Sequence, residues 1–329
     1  MGNRYVIIGF AFLLAVFGCE KEVNLDDRIT IIQGDSDAAD IAKMNGWIYS
    51  RMKDVYFWSD ELKDSLEYDY SLAPDKFFAS LKVAADRFSY SEPNSSYSGG
   101  TKGVNLNDSV KLDSIYSIGG KRIGYFYYTG FDTEADVTDV ILKMKGVDEL
   151  IIDVRSNPGG YVHTCTYLAS LLVPTSCLGK LFYSASYNSR LGEFYKSTTG
   201  SERTYTYLLD NTLVRNRSLC LKRLWILAGS GSASCSELLV NSLRPYMQVI
   251  AIGETTVGKD VGMSPLENSR CKYRFWPITF RNYNAHGNPV PMTGLVPDYP
   301  VGDTAPAMLG DIREPLLAKA LEEINKIQE

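Results

Sequence analysis

Between residues 37 and 90 the apolar positions recur at helical spacing. Ile41, Met44, Ile48, Met52 and Val55 stand three or four apart, which predicts one buried face of an amphipathic helix. A second helix is predicted after Leu72-Ala73-Pro74-Asp75, with Phe77, Phe78, Leu81 and Val83 on its inner side. Residues 91–107 are dominated by Ser, Gly and Asn and read as a loop. Beyond it the pattern changes. Short apolar runs at 123–128, 149–154, 224–229 and 248–253 read as buried strands, and 136–145, 162–173 and 234–243 read as helices between them, the last stopped by Arg244-Pro245. Strand and helix alternating through short links predicts crossover units and a largely parallel sheet.

The first nineteen residues follow neither rhythm. One early arginine, an unbroken apolar run from Tyr5 to Phe17 and then Gly18-Cys19 have the form of a signal-peptide core, too short to span a bilayer comfortably. A small residue before Cys19, with Glu20 and further acidic residues after it, is similar to a bacterial lipoprotein signal. That resemblance implies a diacylated Cys19 as mature N-terminus, a protein held at a membrane by lipid, and an outer-membrane position, periplasmic or outward-facing. A plain secretory signal or a weak transmembrane anchor, with Cys19 incidental, is the alternative.

Composition narrows the partners. The chain has 329 residues, 45% apolar and 22% charged, with a net charge of −5. Without a basic run, nothing points to nucleic acid. The remaining cysteines, Cys165, Cys177, Cys220, Cys235 and Cys271, show no metal-binding spacing and are odd in number, so neither a zinc site nor a disulfide framework is read.

Candidate chemistry lies where strands end. Residues 229–240, GSGSASCSELLV, follow a predicted strand and open a predicted helix, at the sheet edge where α/β folds build their sites. Free N–H groups at such a helix start can hold a developing oxyanion. Ser234-x-x-Glu237 before an apolar run is also a capping box, which needs no chemistry. A nucleophilic serine needs a base, and His163 and His286 are the chain's two histidines, neither in a recognisable setting. Lys259, ending GETTVGK after another strand, would serve if burial lowered its pKa, because desolvation disfavours the ammonium.

These pieces, in order, resemble the carboxyl-terminal processing (tail-specific) serine proteases. The matching stretches are IIDVRSNPGG (151–160), SASCSE (232–237), GETTVGK (253–259) and GLVPDY (294–299), with LGDIREPLLAKALEEI (309–324) and DRFSY (86–90) on either side. The resemblance implies an α/β fold of the crotonase-like or ClpP-like kind, a mixed sheet core with crossover helices, preceded by a small N-terminal helical region. It implies Ser234 as nucleophile, Lys259 as general base and Glu237 as an ordering carboxylate. The oxyanion hole would be the backbone N–H of Cys235 with the Gly159-Gly160 turn, and no metal or organic cofactor would be required. The substrate would be a peptide or unfolded protein.

The implied organisation is a signal peptide over 1–19, a linker and helical region over 20–90, a loop over 91–109 and a catalytic core over 110–329. Members of this family usually carry a PDZ domain where the 91–109 loop stands, and nineteen residues leave no room for one. Capture of a free carboxyl terminus therefore does not carry over. A lipoprotein of the same fold that binds peptide or glycan without turnover is the competing reading. A crotonase-like acyl-CoA enzyme explains the glycine turn but not a serine and lysine at this spacing.

Overall fold

The computed structural model describes residues 36–94, 109–303 and 308–327. Cys19 and most of the loop expected at 91–109 lie outside them. The chain opens with helices α1 (Ser36–Val55) and α2 (Pro74–Ser80) and strand β1 (Tyr90–Pro93). A hairpin follows, β2 (Val110–Ile118) and β3 (Lys121–Tyr128), reversing at Gly119-Gly120. Both glycines sit at positive φ, 59° and 79°, where a β-carbon would be strained. Then come α3 (Glu134–Lys143), β4 (Glu149–Asp153), α4 (Val162–Leu172), β5 (Leu181–Ser186), α5 (Ser189–Thr199), β6 (Thr204–Tyr207) and α6 (Thr212–Arg217). The remaining elements are β7 (Arg223–Ala228), α7 (Cys235–Leu243), β8 (Gln248–Gly253), β9 (Val261–Met263), β10 (Tyr273–Trp276), β11 (Ile278–Tyr283), β12 (Tyr299–Pro300) and α8 (Pro315–Lys326).

The central sheet has six strands in the order β12-β8-β7-β4-β3-β2. All neighbours run parallel except β2, which returns antiparallel beside β3. Every residue of β4 is buried, as expected of a parallel strand covered on both faces. Side chains of α3, α4 and α7 share one apolar core with one face, and Leu316, Leu317, Ala320 and Ile324 of α8 close the other over Trp225 and Ile250. Helix α3 begins two residues before the predicted start because the Thr133 hydroxyl accepts the Asp136 N–H at 3.2 Å and caps it.

The parallel sheet is not the whole framework. A four-stranded antiparallel sheet, β6-β5-β11-β9, and a two-stranded one, β1-β10, join distant parts of the chain, with Tyr90 opposite Trp276 and Ser186 opposite Arg281. The N-terminal region packs Ile48, Met52, Phe77 and Phe78 against Phe275 and Leu266 as its own apolar cluster. Among the described residues no helix is long and apolar enough to cross a membrane.

Candidate active site

At the carboxyl edge of the central sheet, β7 turns sharply into α7. Gly229 and Gly231 allow the turn to press on the adjacent strand end: a β-carbon at either would lie 2.9 or 3.0 Å from the Arg155 carbonyl oxygen. Of the four serines between 229 and 236, Ser230 is exposed, and the other three separate by what their hydroxyls do. Ser232 Oγ donates to the Val154 carbonyl at 2.7 Å, and Ser236 Oγ donates to the Asn157 carbonyl at 2.9 Å. Both are pins. The Ser234 hydroxyl proton meets no acceptor among the described residues, and Ser234 sits at φ 55° and ψ −113°. A non-glycine residue held there costs about 1–3 kcal/mol, and such strain is characteristic of functional turns.

The Gly159-Gly160 turn backs directly onto this serine. A β-carbon on Gly159 would lie 2.8 Å from Ser234 Cβ and 3.1 Å from Oγ, so the position admits only glycine. The two glycine N–H groups of the turn, from which one donor is expected beside that of Cys235, are unequal. Gly159 N–H donates to Asn157 Oδ1 at 2.8 Å, whereas the N–H groups of Gly160 and Cys235 carry no hydrogen bond within the described structure. Asn157 itself is fixed, its amide donating to the Tyr128 carbonyl at 3.0 Å.

Glu237 joins the two loops. It is fully buried, and Oε2 accepts the Ser234 N–H at 3.0 Å and the Lys259 N–H at 2.8 Å. Oε1 accepts the Gly258 N–H at 2.7 Å and the Thr256 hydroxyl. The capping contact read from the sequence is there, and the same carboxylate also fixes the lysine loop. That loop is held from behind by 294–299, since Leu295 N–H donates to Thr256 Oγ1 at 2.8 Å. Gly258, at φ 80°, lets the loop approach the Met292 carbonyl, which a β-carbon would meet at 2.2 Å. Lys259 Nζ makes no ion pair or hydrogen bond within the described structure and lies over the Phe88 ring, 5.5 Å from its centroid. Burial holds its ammonium below the ordinary lysine range, with Cys235 and Glu237 pushing the other way.

A half-buried serine hydroxyl at a strained strand–helix turn, joined through one carboxylate to the loop that carries a desolvated lysine, is a constellation suited to nucleophilic acyl chemistry. The sequence matches the profile described as Peptidase family S41 over residues 122–301, and that of the Peptidase S41 N-terminal domain over 43–90.

The chain belongs to peptidase family S41.

This is a family of serine-type peptidases, and the match spans all of the strand ends and turns just described. Curated relatives include the carboxy-terminal processing protease CtpA of Bacillus subtilis, 29% identical over 157 residues, which are 46% of this chain and 29% of that protein. The carboxyl-terminal-processing protease of Synechocystis is 26% identical over 154 residues, covering 46% and 31%. The matched segment is thus about three tenths of each relative's length. Among solved structures, a candidate S41 protease from Bacteroides fragilis superposes with a TM-score of 0.72 at 18% identity, covering 86% of this chain and 98% of that one. A lipoprotein from Streptococcus agalactiae shares the fold at TM-score 0.55 and 11% identity, covering 83% and 94%.

Within this S41 chain neither histidine makes a hydrogen bond to the serine among the described residues. His163 is exposed and stacks on Tyr161, while His286 is exposed in a turn. Cys235 is buried, its thiol donating to the Gly160 carbonyl at 3.2 Å, with the Cys165 thiol 3.4 Å from the Cys235 carbonyl. Asn157 and Thr256 were not singled out from the sequence, although both lie inside the matched motifs. Phe88, also missed there, comes from DRFSY far upstream and has no local signal.

Proposed function

We propose that this S41 protein is a serine endopeptidase acting on peptides or unfolded proteins through a Ser234–Lys259 dyad. Neutral Lys259 removes the Ser234 hydroxyl proton as Oγ attacks the scissile carbonyl carbon. The oxyanion is held by the N–H groups of Cys235 and Gly160, and Lys259 then passes its proton to the departing amine. Water attacks the acyl ester in turn, with Lys259 again taking a proton, and releases the acid. Glu237 orders both partners through main-chain N–H groups and transfers no proton. The observation that carries this reading is that one buried carboxylate binds the N–H of Ser234 and the N–H of Lys259, while the serine's hydroxyl proton stays unbound.

Lipidation at Cys19 and a place in the cell envelope belong to the same proposal, as does a direct passage from the N-terminal region to the core without a PDZ domain. Substrate selection would then rest on the cleft itself.

The test uses the soluble chain beginning after Cys19, with β-casein as an unfolded substrate between pH 6 and 10. Cleavage should rise with pH through a limb below the ordinary lysine range, and fall by about 10³-fold or more in Ser234→Ala and Lys259→Ala. An inert parent whose Ser234 escapes a fluorophosphonate would overturn the reading in favour of a peptide- or glycan-binding protein.

A further inference from the structure

Building on the Ser234–Lys259 reading, we propose that Phe88, supplied by the N-terminal region, is a positioning residue that roofs the Lys259 amine and keeps water from it. The base would then be competent only while segment 86–89 is docked on the core.

The segment is held from several directions. Asp86, buried, accepts the Tyr56 hydroxyl at 2.8 Å, the Phe88 N–H at 3.1 Å and the Ser89 N–H at 2.8 Å, which fixes the turn presenting the ring. Ser89 Oγ accepts the Ile278 N–H at 2.8 Å, and the Phe57 N–H donates to the Ile278 carbonyl at 2.9 Å, tying the turn to β11. Arg87 reaches across to the Met292 carbonyl at 2.9 Å and the Val257 carbonyl at 3.2 Å, two residues before Lys259. The small cavity bounded by Phe88, Arg87, Gly258, Asp260, Ile278 and Met292 measures about 10 Å³, at the lower limit for one water molecule.

A ring over an amine acts in two opposed ways. Excluding water disfavours the ammonium, while the electron-rich face attracts it. The neighbouring charges are few. Glu237 and Cys235 face the lysine from α7, and Asp260 beside it is paired with Arg281 of β11 at 2.9 Å. Arg87 comes from the same segment as the ring. With Asp260 already paired and Glu237 committed to four donors, no carboxylate forms an ion pair with the ammonium, and burial outweighs the pull of Glu237.

The test reads the second-order rate of fluorophosphonate labelling at Ser234 against pH, which needs no substrate. In that reaction Oγ bonds to phosphorus, fluoride leaves and the hydroxyl proton passes to Lys259. Phe88→Ala should move the limb up by about one pH unit and slow labelling about tenfold below it, with the high-pH plateau retained. Phe88→Leu, which still excludes water, should return the limb to its original position. If Phe88→Ala does not fold by circular dichroism, Arg87→Ala loosens the same segment from its exposed side and should move the limb in the same direction. A rate lowered equally at every pH, with the limb unmoved, overturns this role and leaves the dyad intact. A limb that survives Lys259→Met instead overturns the dyad, and the role of Phe88 with it.

Discussion

Two buried polar centres sit at the same sheet edge and are built on opposite principles. Around Arg155 three carboxylates converge on one cation. Its guanidinium binds Asp153 at 2.8 Å, Glu314 at 2.7 Å and Asp303 at 3.0 Å, and Glu314 also accepts the Leu317 N–H at the start of α8. Around Glu237 there is no cation in contact, only N–H and O–H donors. The first centre ties the motif at 151–160 to the closing helix through that one shared guanidinium. The second aligns two loops while leaving the lysine amine unpaired. An ion pair there would hold Lys259 protonated and end the base role proposed for it.

The carboxylates on Arg155 also show how burial and partners compete. For Asp153, fully buried, desolvation outweighs Arg155 and raises the carboxyl above its usual range. For Glu314 burial acts the same way, but Arg155 and two N–H donors outweigh it and bring the carboxyl below that range.

The sharpest way to break the comparison is Arg155→Met. Removing one partner strands two buried carboxylates, so stability should fall by about 3–5 kcal/mol, read by urea unfolding. Activity per folded molecule should be largely kept. Glu237→Gln should do the reverse. Its amide N–H₂ would face donors rather than acceptors, and kcat/KM should drop about a hundredfold with a smaller loss of stability. Equal losses of activity and stability in both variants would erase the distinction.

A subtler difference concerns pH. The folded state holds Lys259 below its unfolded value near 10.4. Between those two values the unfolded chain binds a proton that the folded one lacks, so the lysine's contribution to stability rises with pH. Its full cost is present below the folded value. Lys259→Met should therefore raise Tm slightly near neutrality, by an amount that shrinks towards pH 10. The smallest effect is expected at Cys235, where the proposed reaction uses only the N–H. Cys235→Ala should change kcat/KM by less than about threefold and remove the thiol beside the nucleophile.

Much of the central sheet was legible because its strands are continuous apolar runs. ELIID and RLWILA are buried almost throughout, and no periodicity beyond length and flanking turns is needed to read them. The second sheet was not. TYTY of β6 alternates in burial over four residues and β9 has three, too few to declare a period, and their partners are distant in sequence. At the site, spacing and family resemblance drew attention to Ser234, Glu237, Lys259 and the glycine pair. What separates Ser234 from Ser232 and Ser236 is invisible in sequence, because their acceptors are carbonyl oxygens of another strand's end. The inequality of Gly159 and Gly160 is hidden for the same reason, since it depends on the rotamer of Asn157.

Glu237 grips the lysine loop through the main chain at Gly258 and Lys259 and through one hydroxyl at Thr256. Its hold therefore does not depend on the side chains at 255 and 257. Those two positions form a natural place to start a library: they can be rewritten while the lysine stays in register with the serine.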